Sequence, residues 1–445
     1  MALFLNLVFS CSKEDTPTPA INLFSATING SSLVDGMENV EPDAILELVF
    51  SASLDKTAFE SALSISSASD TPALNFVYLS QASRVRVTME LQPGTTYTLR
   101  LDDRAIGQNG ERLESSLERA FTTAGGGVIT SLPPCTSGTG DCLETVMLTA
   151  DGTAGFQFYS SFPIYEPMAE WEDLRAAVIV VHGVNRNADD YFNYLMSSLK
   201  AEGLETSTVL ISPFFKTAAE AGEGEFYWGG NGWREGQESA NSARISSFGA
   251  VDQIIAQLAD KARFPVLEKI IVTGHSSGGL FTHLFAAANR SEGAFPGISF
   301  EYIVANSQYF YYPDGRRIDE NTNQLYTPTG CTGYSLWPIG FAIVPPYVSQ
   351  ADEATFNNHF VNRSVTYLLG NGNGPDGAFN DTDCFATLLG STRYNRGENM
   401  FRYMELVYPG IHRHSRLIVE GIGHDGAGMY QSAEFRELLR GLLGG

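Results

Sequence analysis

The first quarter of the chain alternates apolar and polar residues over short distances. Residues 44–50, 84–89 and 96–101 show this alternation and are separated by turn-rich gaps. A period of two places every second side chain on one face of a strand, so one face is buried and the other is exposed. Residues 22–124 are therefore predicted to form a small all-β sandwich.

The pattern changes after a run of alanine and three glycines at residues 124–127. Beyond it, continuous apolar runs alternate with longer helical stretches. The predicted strands are residues 177–181, 208–211, 269–272, 302–305, 365–369 and 416–419. Uninterrupted apolar strands separated by helices are typical of a mostly parallel sheet covered by helices on both faces. The prediction is a linker at 125–144 and an α/β domain at 145–445.

One of these strands leads into the sequence Gly-His-Ser-Ser-Gly-Gly at residues 274–279, which a helical stretch follows. A G-x-S-x-G motif between a strand and a helix places its serine on a sharp turn that only small flanking residues allow. The helix N-terminus also favours the negative charge that develops on a reacting carbonyl oxygen. Ser276 is therefore the candidate nucleophile.

A second strand end carries His182, Gly183 and Val184. In α/β folds with a nucleophilic serine of this kind, the end of a neighbouring strand, often followed by His-Gly, carries one oxyanion-hole amide. The predicted donors are the backbone N–H groups of Val184 and Ser277. His182 precedes the serine in the chain, whereas the base follows it in this fold, so His182 is interpreted as a structural turn histidine.

The candidate base is His424, which lies among glycines in the loop after the last predicted strand. Such a loop can bring an imidazole over Ser276 to accept its proton. The acid is expected after the strand that ends at Gly370. Asp376 is favoured there because it is nearest the strand end, and Asp381 and Asp383 remain alternatives.

Two aromatic segments, residues 226–234 and 309–312, also follow sheet strands. They are positioned either to line a substrate pocket or to pack in the core, and the sequence does not separate the two.

Composition excludes several functions. With 28 Lys and Arg against 51 Asp and Glu, the formal net charge is −23, which repels nucleic acid and anionic headgroups. The chain has no CxxC pair and no HExxH helix, so neither a metal site nor a cofactor is expected.

The N-terminus predicts export. Apolar residues 1–10 run directly into Cys11, and this junction resembles a bacterial lipoprotein signal in which Cys11 becomes the lipidated first residue. Residues 1–21 are accordingly expected to be a signal and a tether, and the protein a secreted or outer-membrane, cell-surface lipoprotein of a Gram-negative bacterium. The four other cysteines are expected to form the disulfides Cys135–Cys142 and Cys331–Cys384.

Longer stretches carry a family resemblance. VVHGVNRNADDYF, EYIVANSQYFYY, CTGYSLWPIG and VEGIGHDGAGMY, together with the serine motif, resemble secreted α/β-hydrolases related to polyhydroxybutyrate depolymerases and feruloyl esterases, over about residues 145–440. Residues 22–123 resemble bacterial Ig-like modules. The resemblance implies the α/β-hydrolase fold and a serine esterase that acts on a polymeric or glycan-linked ester.

In that family the acid lies about three residues past the strand-end glycine, where this chain has Asn373. The acid is therefore either shifted to Asp376 or the triad is altered. Two other functions stay open from the sequence: a serine peptidase or amidase with the same triad, and an inactive surface-binding lipoprotein.

Overall fold

The structure, a computed structural model, describes residues 20–125, 131–166, 169–372 and 381–444. The chain divides into two compact units, Met1–Gly127 and Val128–Gly445. Each unit is described by itself below.

The first unit is a β-sandwich. Its elements are β1 Ala20–Ile21, β2 Leu23–Ile28, β3 Ser31–Ser32, β4 Met37–Val40, β5 Asp43–Phe50, α1 Lys56–Ala62, β6 Leu63–Ser66, β7 Asn75–Leu79, β8 Arg84–Glu90, β9 Thr96–Leu101, β10 Arg112–Leu113 and β11 Leu117–Thr123. One sheet has the order β3-β2-β5-β8-β7 and the other β4-β11-β9-β6, while β1 pairs with β10. The predicted sandwich is confirmed.

Burial in this unit follows the sequence alternation. In β5 the side chains of Ala44, Leu46, Leu48 and Phe50 point into the core, and the residues between them are partly or fully exposed. Because the pattern repeats in β8 and β9, the two inner faces form a continuous apolar core.

The second unit contains a sheet of eight strands. They are β12 Leu143–Thr149, β13 Thr153–Ser160, β14 Ala176–Val181, β15 Thr208–Pro213, β16 Lys269–His275, β17 Ser299–Ala305, β20 Val365–Gly370 and β21 His414–Val419. A separate hairpin is formed by β18 Arg317–Ile318 and β19 Leu325–Tyr326. The sheet order is β12-β13-β15-β14-β16-β17-β20-β21.

Only the first strands of this sheet run antiparallel to their neighbours. β12 pairs with β13, and β13 with β15, in antiparallel fashion, and all other pairs are parallel. This order and direction define the α/β-hydrolase fold, as predicted. The six parallel strands were expected, whereas β12 and β13 were not, because they lack a continuous apolar run.

Helices cover both faces of the sheet. They are α2 Ala188–Glu202, α3 Ser247–Leu258, α4 Ser277–Ala288, α5 Ser291–Ala294, α6 Glu353–Asn362, α7 Cys384–Thr387, α8 Arg393–Val407, α9 Gly426–Gln431 and α10 Ala433–Leu443. Val178 and Val180 of β14 join the core of α2, α9 and α10, while Ala177 and Ile179 join the core of α3, α4, α6 and α8. Alternate side chains of one strand therefore anchor the two helical layers.

Both expected disulfides are present, Cys135–Cys142 and Cys331–Cys384. Cys142 is buried in the core beside α2, so the chain ahead of β12 already belongs to the second unit rather than to a free linker. In the part of the chain that the structure describes, no helix is long and apolar enough to cross a membrane. Cys11 and the rest of the predicted signal and tether up to Pro19 lie outside the described residues.

Candidate active site

Ser276 occupies a sharp turn between β16 and α4. Its backbone has φ 60° and ψ −112°, a conformation that costs a non-glycine residue free energy and that folded proteins retain mainly at functional sites. The Ser276 N–H donates a hydrogen bond to Ala305 O at 3.0 Å, which fastens the turn to the end of β17. The serine side chain therefore lies at the carboxyl end of the central strands.

The turn depends on glycines that allow close backbone contact. A Cβ atom added to Gly278 would lie 2.1 Å from Val181 O, and one added to Gly274 would lie 2.3 Å from Gly278 O. Any side chain at these positions would collide with main chain, so the tight approach of β14, β16 and α4 requires glycine. The spacing recognised in the sequence thus has a steric basis.

The predicted oxyanion donors lie at the same cavity as the serine. Ser277 is the first residue of α4, and Val184 is in the loop after β14. Neither backbone N–H makes a hydrogen bond within the described residues, so both stay available to an oxygen atom in the cavity. The N-terminus of α4 adds a partial positive charge at this point.

His424 lies in the loop between β21 and α9 and lines the same cavity as Ser276. Its ring stacks on His275, with centroids 4.7 Å apart and planes inclined by 25°. Burial, and then the charge of His424, hold the pKa of His275 well below its ordinary value. His275 is therefore a neutral ring that supports the imidazole of His424, and the Tyr191 hydroxyl fixes it from behind at 3.0 Å from Nδ1.

Asn306, which follows β17, holds together the ends of two neighbouring segments. Its side-chain oxygen accepts a hydrogen bond from Gly370 N at 2.9 Å, and its Nδ2 donates to Gly423 O at 3.0 Å. The N–H of Gly372 donates to Ile422 O at 2.7 Å. The chain that follows β20 therefore runs directly against the histidine loop, where a triad acid is needed.

The three candidate acids are placed differently. Asp376 and Asn373 lie outside the described residues. Asp381 accepts hydrogen bonds from the Tyr309 hydroxyl and, at 2.8 Å, from the N–H of Asp383. Asp383 is the residue ahead of α7, next to the disulfide-bonded Cys384. Asp381 is thus already engaged by other groups, and the assignment of Asp376 stays a prediction.

His182 has the structural role that the sequence predicted. Its Nδ1–H donates to Gly183 O at 2.9 Å, and its Nε2 accepts from the N–H of Phe215 at 3.2 Å. Burial lowers the pKa of His182 to about 4. With both ring nitrogens occupied, this histidine has no free lone pair with which to act as a base.

The cavity beside Ser276 has a volume of about 470 Å³. It is bounded by the two oxyanion-donor segments, His424, Asp425, and polar side chains that the sequence did not single out. These are Asn185, Asn187, Asn231, Arg234, Gln308 and Arg393. Asn231 and Arg234 lie in the first aromatic segment, whereas the other four lie outside both segments.

The aromatic segments mostly pack in the core. Phe226, Trp228 and Trp233 are buried beneath the sheet, as are residues 310–312. Among the aromatic residues of these segments, Tyr309 borders the cavity. Most of both segments therefore pack in the core, and Tyr309 lines the cavity.

No group of three or more His, Cys, Asp or Glu side chains among the described residues is arranged to hold a metal ion. His414, the first residue of β21, is instead buried, with Nε2 bonded to Phe360 O at 2.6 Å and Nδ1 lying 2.8 Å from the Tyr367 hydroxyl.

Comparison with known protein families agrees with the sandwich of the first unit. Residues 25–123 match the bacterial Ig-like domain family. No curated protein sequence is significantly similar to the chain. The second unit has the α/β-hydrolase fold by its own sheet order, with a serine at the turn after the central strand.

Several solved structures are similar to this chain at low identity. A poly(3-hydroxybutyrate) depolymerase from Bordetella parapertussis is 19% identical, with 65% of this chain and 87% of that chain covered and a TM-score of 0.46. A poly(aspartic acid) hydrolase-1 from Sphingomonas sp. KT-1 is 17% identical, with 71% and 100% covered and a TM-score of 0.47. A siderophore hydrolase from Aspergillus nidulans is 17% identical, with 72% and 97% covered and a TM-score of 0.37.

Proposed function

We propose that the second unit is a serine hydrolase that cleaves carboxylic esters through a covalent acyl-enzyme. The observation that carries the proposal is the strained backbone of Ser276 at a strand-to-helix turn, with His424 and two unbonded N–H groups at the same cavity. A nucleophile, a base and oxyanion donors around one space are the parts that acyl transfer needs.

In this mechanism Ser276 Oγ attacks the ester carbonyl carbon while its proton passes to His424. The N–H groups of Val184 and Ser277 stabilise the oxyanion, aided by the N-terminus of α4. The tetrahedral intermediate collapses, and His424 returns the proton to the leaving alcohol. Water, deprotonated by His424, then releases the acid and restores the serine.

We assign the third member of the triad to Asp376. Asn371 and Gly372 are hydrogen-bonded to the histidine loop, and Asp376 is the first aspartate after them in the chain. Its task is to hold His424 in the correct tautomer and to stabilise the charged ring.

A fluorophosphonate probe tests the proposal. We expect covalent labelling of the wild-type chain at Ser276, found by peptide mass mapping, and hydrolysis of short 4-nitrophenyl esters faster than that of matched 4-nitroanilides. Comparable rates on anilides would indicate an amidase or peptidase. A folded chain that is neither labelled nor active would indicate an inactive surface-binding protein.

We further propose that the protein is exported and lipid-anchored at Cys11, with the Ig-like unit as a spacer or binding module and a polymeric or glycan-linked ester as substrate. Both disulfides are compatible with an oxidising compartment. Expression of wild type and Cys11→Ala in a Gram-negative host should give membrane-bound and released protein, respectively. A screen of polyesters and of feruloylated and acetylated glycans would identify the substrate class.

A further inference from the structure

Arg234 is a buried cation beside the candidate nucleophile. It lies in the 3-10 turn Gly232–Glu235, has 7% of its surface exposed, and lines the same cavity as Ser276. Burial of an arginine is costly unless its donors are bonded, so the contacts of its guanidinium indicate what it is for.

Two of the three guanidinium nitrogens have partners. Nε donates to Glu235 Oε1 at 3.2 Å, and Nη1 donates to Ser277 Oγ at 3.2 Å and to Gln308 Oε1 at 3.1 Å. The guanidinium carbon lies 5.7 Å from the centre of the Tyr309 ring. These contacts hold the group in one orientation, one residue away from the serine.

The third nitrogen, Nη2, makes no hydrogen bond to any of the described residues. Its two N–H groups therefore have no partner among the described residues, on a side chain that lines the cavity of Ser276. Planar N–H donors at fixed positions suit a carboxylate, and a preorganised arginine loses less rotamer entropy on binding than a mobile one.

The other charged groups of the cavity leave room for an anion at this wall. Arg393 also lines the cavity and is buried. Asp425 borders it on the histidine side and is exposed, with its carboxylate capping α9 through a bond from Ala427 N at 3.0 Å. In a chain of net charge −23, the wall formed by Arg234 is thus locally cationic.

We propose that Arg234 forms a carboxylate subsite and that the ester substrate carries a free carboxylate, as the half-ester of a dicarboxylic acid does. This inference rests on the proposed ester hydrolase function and specifies its substrate class. Glu235 neutralises part of the arginine charge, but it contacts Nε and not Nη2. A charged hydrogen bond of this kind should change rates on the anionic ester by about ten- to a hundredfold.

A purely structural role for Arg234 gives a different result. If the arginine only held Ser277 and Gln308 in place, its removal would slow all esters by the same factor. The ratio of kcat/KM on an anionic ester to that on its neutral methylated isostere therefore separates recognition from support.

The experiment compares mono-4-nitrophenyl esters of glutaric, adipic and suberic acid with the corresponding methyl 4-nitrophenyl diesters. For at least one chain length, wild type should prefer the half-ester by about tenfold or more. Arg234→Gln, combined with Glu235→Gln so that no buried carboxylate is left unpaired, should lower the ratio by about ten- to a hundredfold. Arg234→Lys, which keeps the charge, should retain part of the preference and serves if the double variant does not fold.

Arg175→Gln is the control for the loss of a positive charge, because it removes one from an exposed position next to the opposite end of β14. It should leave the ratio unchanged. Calorimetry measures the binding of monomethyl adipate to Ser276→Ala, with and without Arg234→Gln, in the absence of turnover. If Arg234→Gln abolishes this binding, the subsite is supported even if no tested ester is cleaved.

Two results would overturn the inference. One is a wild-type protein that cleaves neutral esters, shows no preference for half-esters at any chain length and does not bind monomethyl adipate; ester hydrolysis would then stand without an anion subsite. The other is an equal loss on charged and neutral esters in the Arg234 variants, which would make the arginine a structural support only.

Discussion

The two units of this chain bury different kinds of side chain. In the first unit the core is apolar, and charged pairs such as Glu47 with Arg84 and Arg86 remain partly exposed on a sheet face. Apart from Thr123, the buried polar and charged side chains of the described residues lie in the second unit. All seven histidines of the chain are also there.

This difference shows what a reactive site demands of a fold. Arg186, in the loop after β14, is buried because its guanidinium donates to three backbone carbonyls, those of Phe215, Trp228 and Gly230. Such a network holds loops that have no regular structure of their own. A sandwich built only from alternating strands needs no such support, and it offers no comparable chemistry. The contrast leads to four experiments, given from the largest expected effect to the smallest.

Replacing Ser276 should separate activity from folding most completely. Ser276→Ala is expected to lower ester turnover by ~10⁴-fold or more and to abolish probe labelling, because the nucleophile is lost. Stability should be unchanged or slightly higher, since the strained turn keeps a small residue. Turnover and thermal unfolding are measured on the same preparation. A variant with near-wild-type turnover would refute the nucleophile assignment.

The acid can be located by three aspartate variants. Asp376→Asn should lower kcat by up to ~10⁴-fold with little change in KM, because the imidazole loses the group that orients it. Asp381→Asn and Asp383→Asn should be mild, since Asp381 is bonded to Tyr309 and Asp383 lies beside α7. Steady-state kinetics decide the matter. If kcat falls severely in the Asp381 or Asp383 variant but not in the Asp376 variant, that residue is the triad acid instead. If kcat is normal in all three variants, the site is a Ser-His dyad.

Low pH should destabilise the second unit through its buried histidines. Burial lowers the pKa of His182 to about 4 and of His283 and His414 to about 3. The unfolded chain, with histidine pKa values near ~6.5, therefore binds more protons, and stability falls as the pH drops from about 6.5 toward 4. Each histidine contributes about 1.4 kcal/mol per pH unit in that window.

Glu144 acts in the opposite direction and supplies the control. Burial raises its pKa to about 8, so its contribution to stability grows as the pH falls from about 8 to ~4.5. Between pH 7 and pH 5, calorimetry should show a larger fall in unfolding temperature for the second unit than for the histidine-free first unit. Glu144→Gln should make the fall for the second unit larger. Equal changes in unfolding temperature in both units would contradict the role given to the buried histidines.

Removing the first unit should have the smallest effect. A chain that begins at Val128 keeps all the proposed site residues and should turn over a soluble ester within about tenfold of wild type, a difference of ~1.4 kcal/mol in transition-state stabilisation. Measuring kcat/KM on a short 4-nitrophenyl ester tests this. A folded chain with a larger loss would mean that the Ig-like unit contributes to the site.

The sequence identified most of the fold because its signals are local. Each of the six parallel strands was predicted within three residues of its observed bounds at either end, since a buried strand is a continuous apolar run. β12 and β13 were missed because neither has a continuous apolar run, and β12, at the edge of the sheet, is buried only in part. Burial of an edge strand depends on what packs against it, and the sequence does not state that.

Within the site, the sequence by itself determined the groups that can be recognised from the residues next to them in the chain. Ser276 was found because the turn requires a glycine two positions before it and another two positions after it, where a side chain would collide with main chain. His424 was found because it follows the last strand among glycines.

Only the tertiary structure decided what distant segments do together. The stacking of His275 on His424, and the bonds of Arg234 to Ser277 and Gln308, join residues dozens of positions apart in the chain. The tertiary structure also decided that most of the large aromatic side chains pack in the core. The pairing of side chains from distant segments is set by three-dimensional neighbours, and a pattern read along one strand or helix contains no information about it.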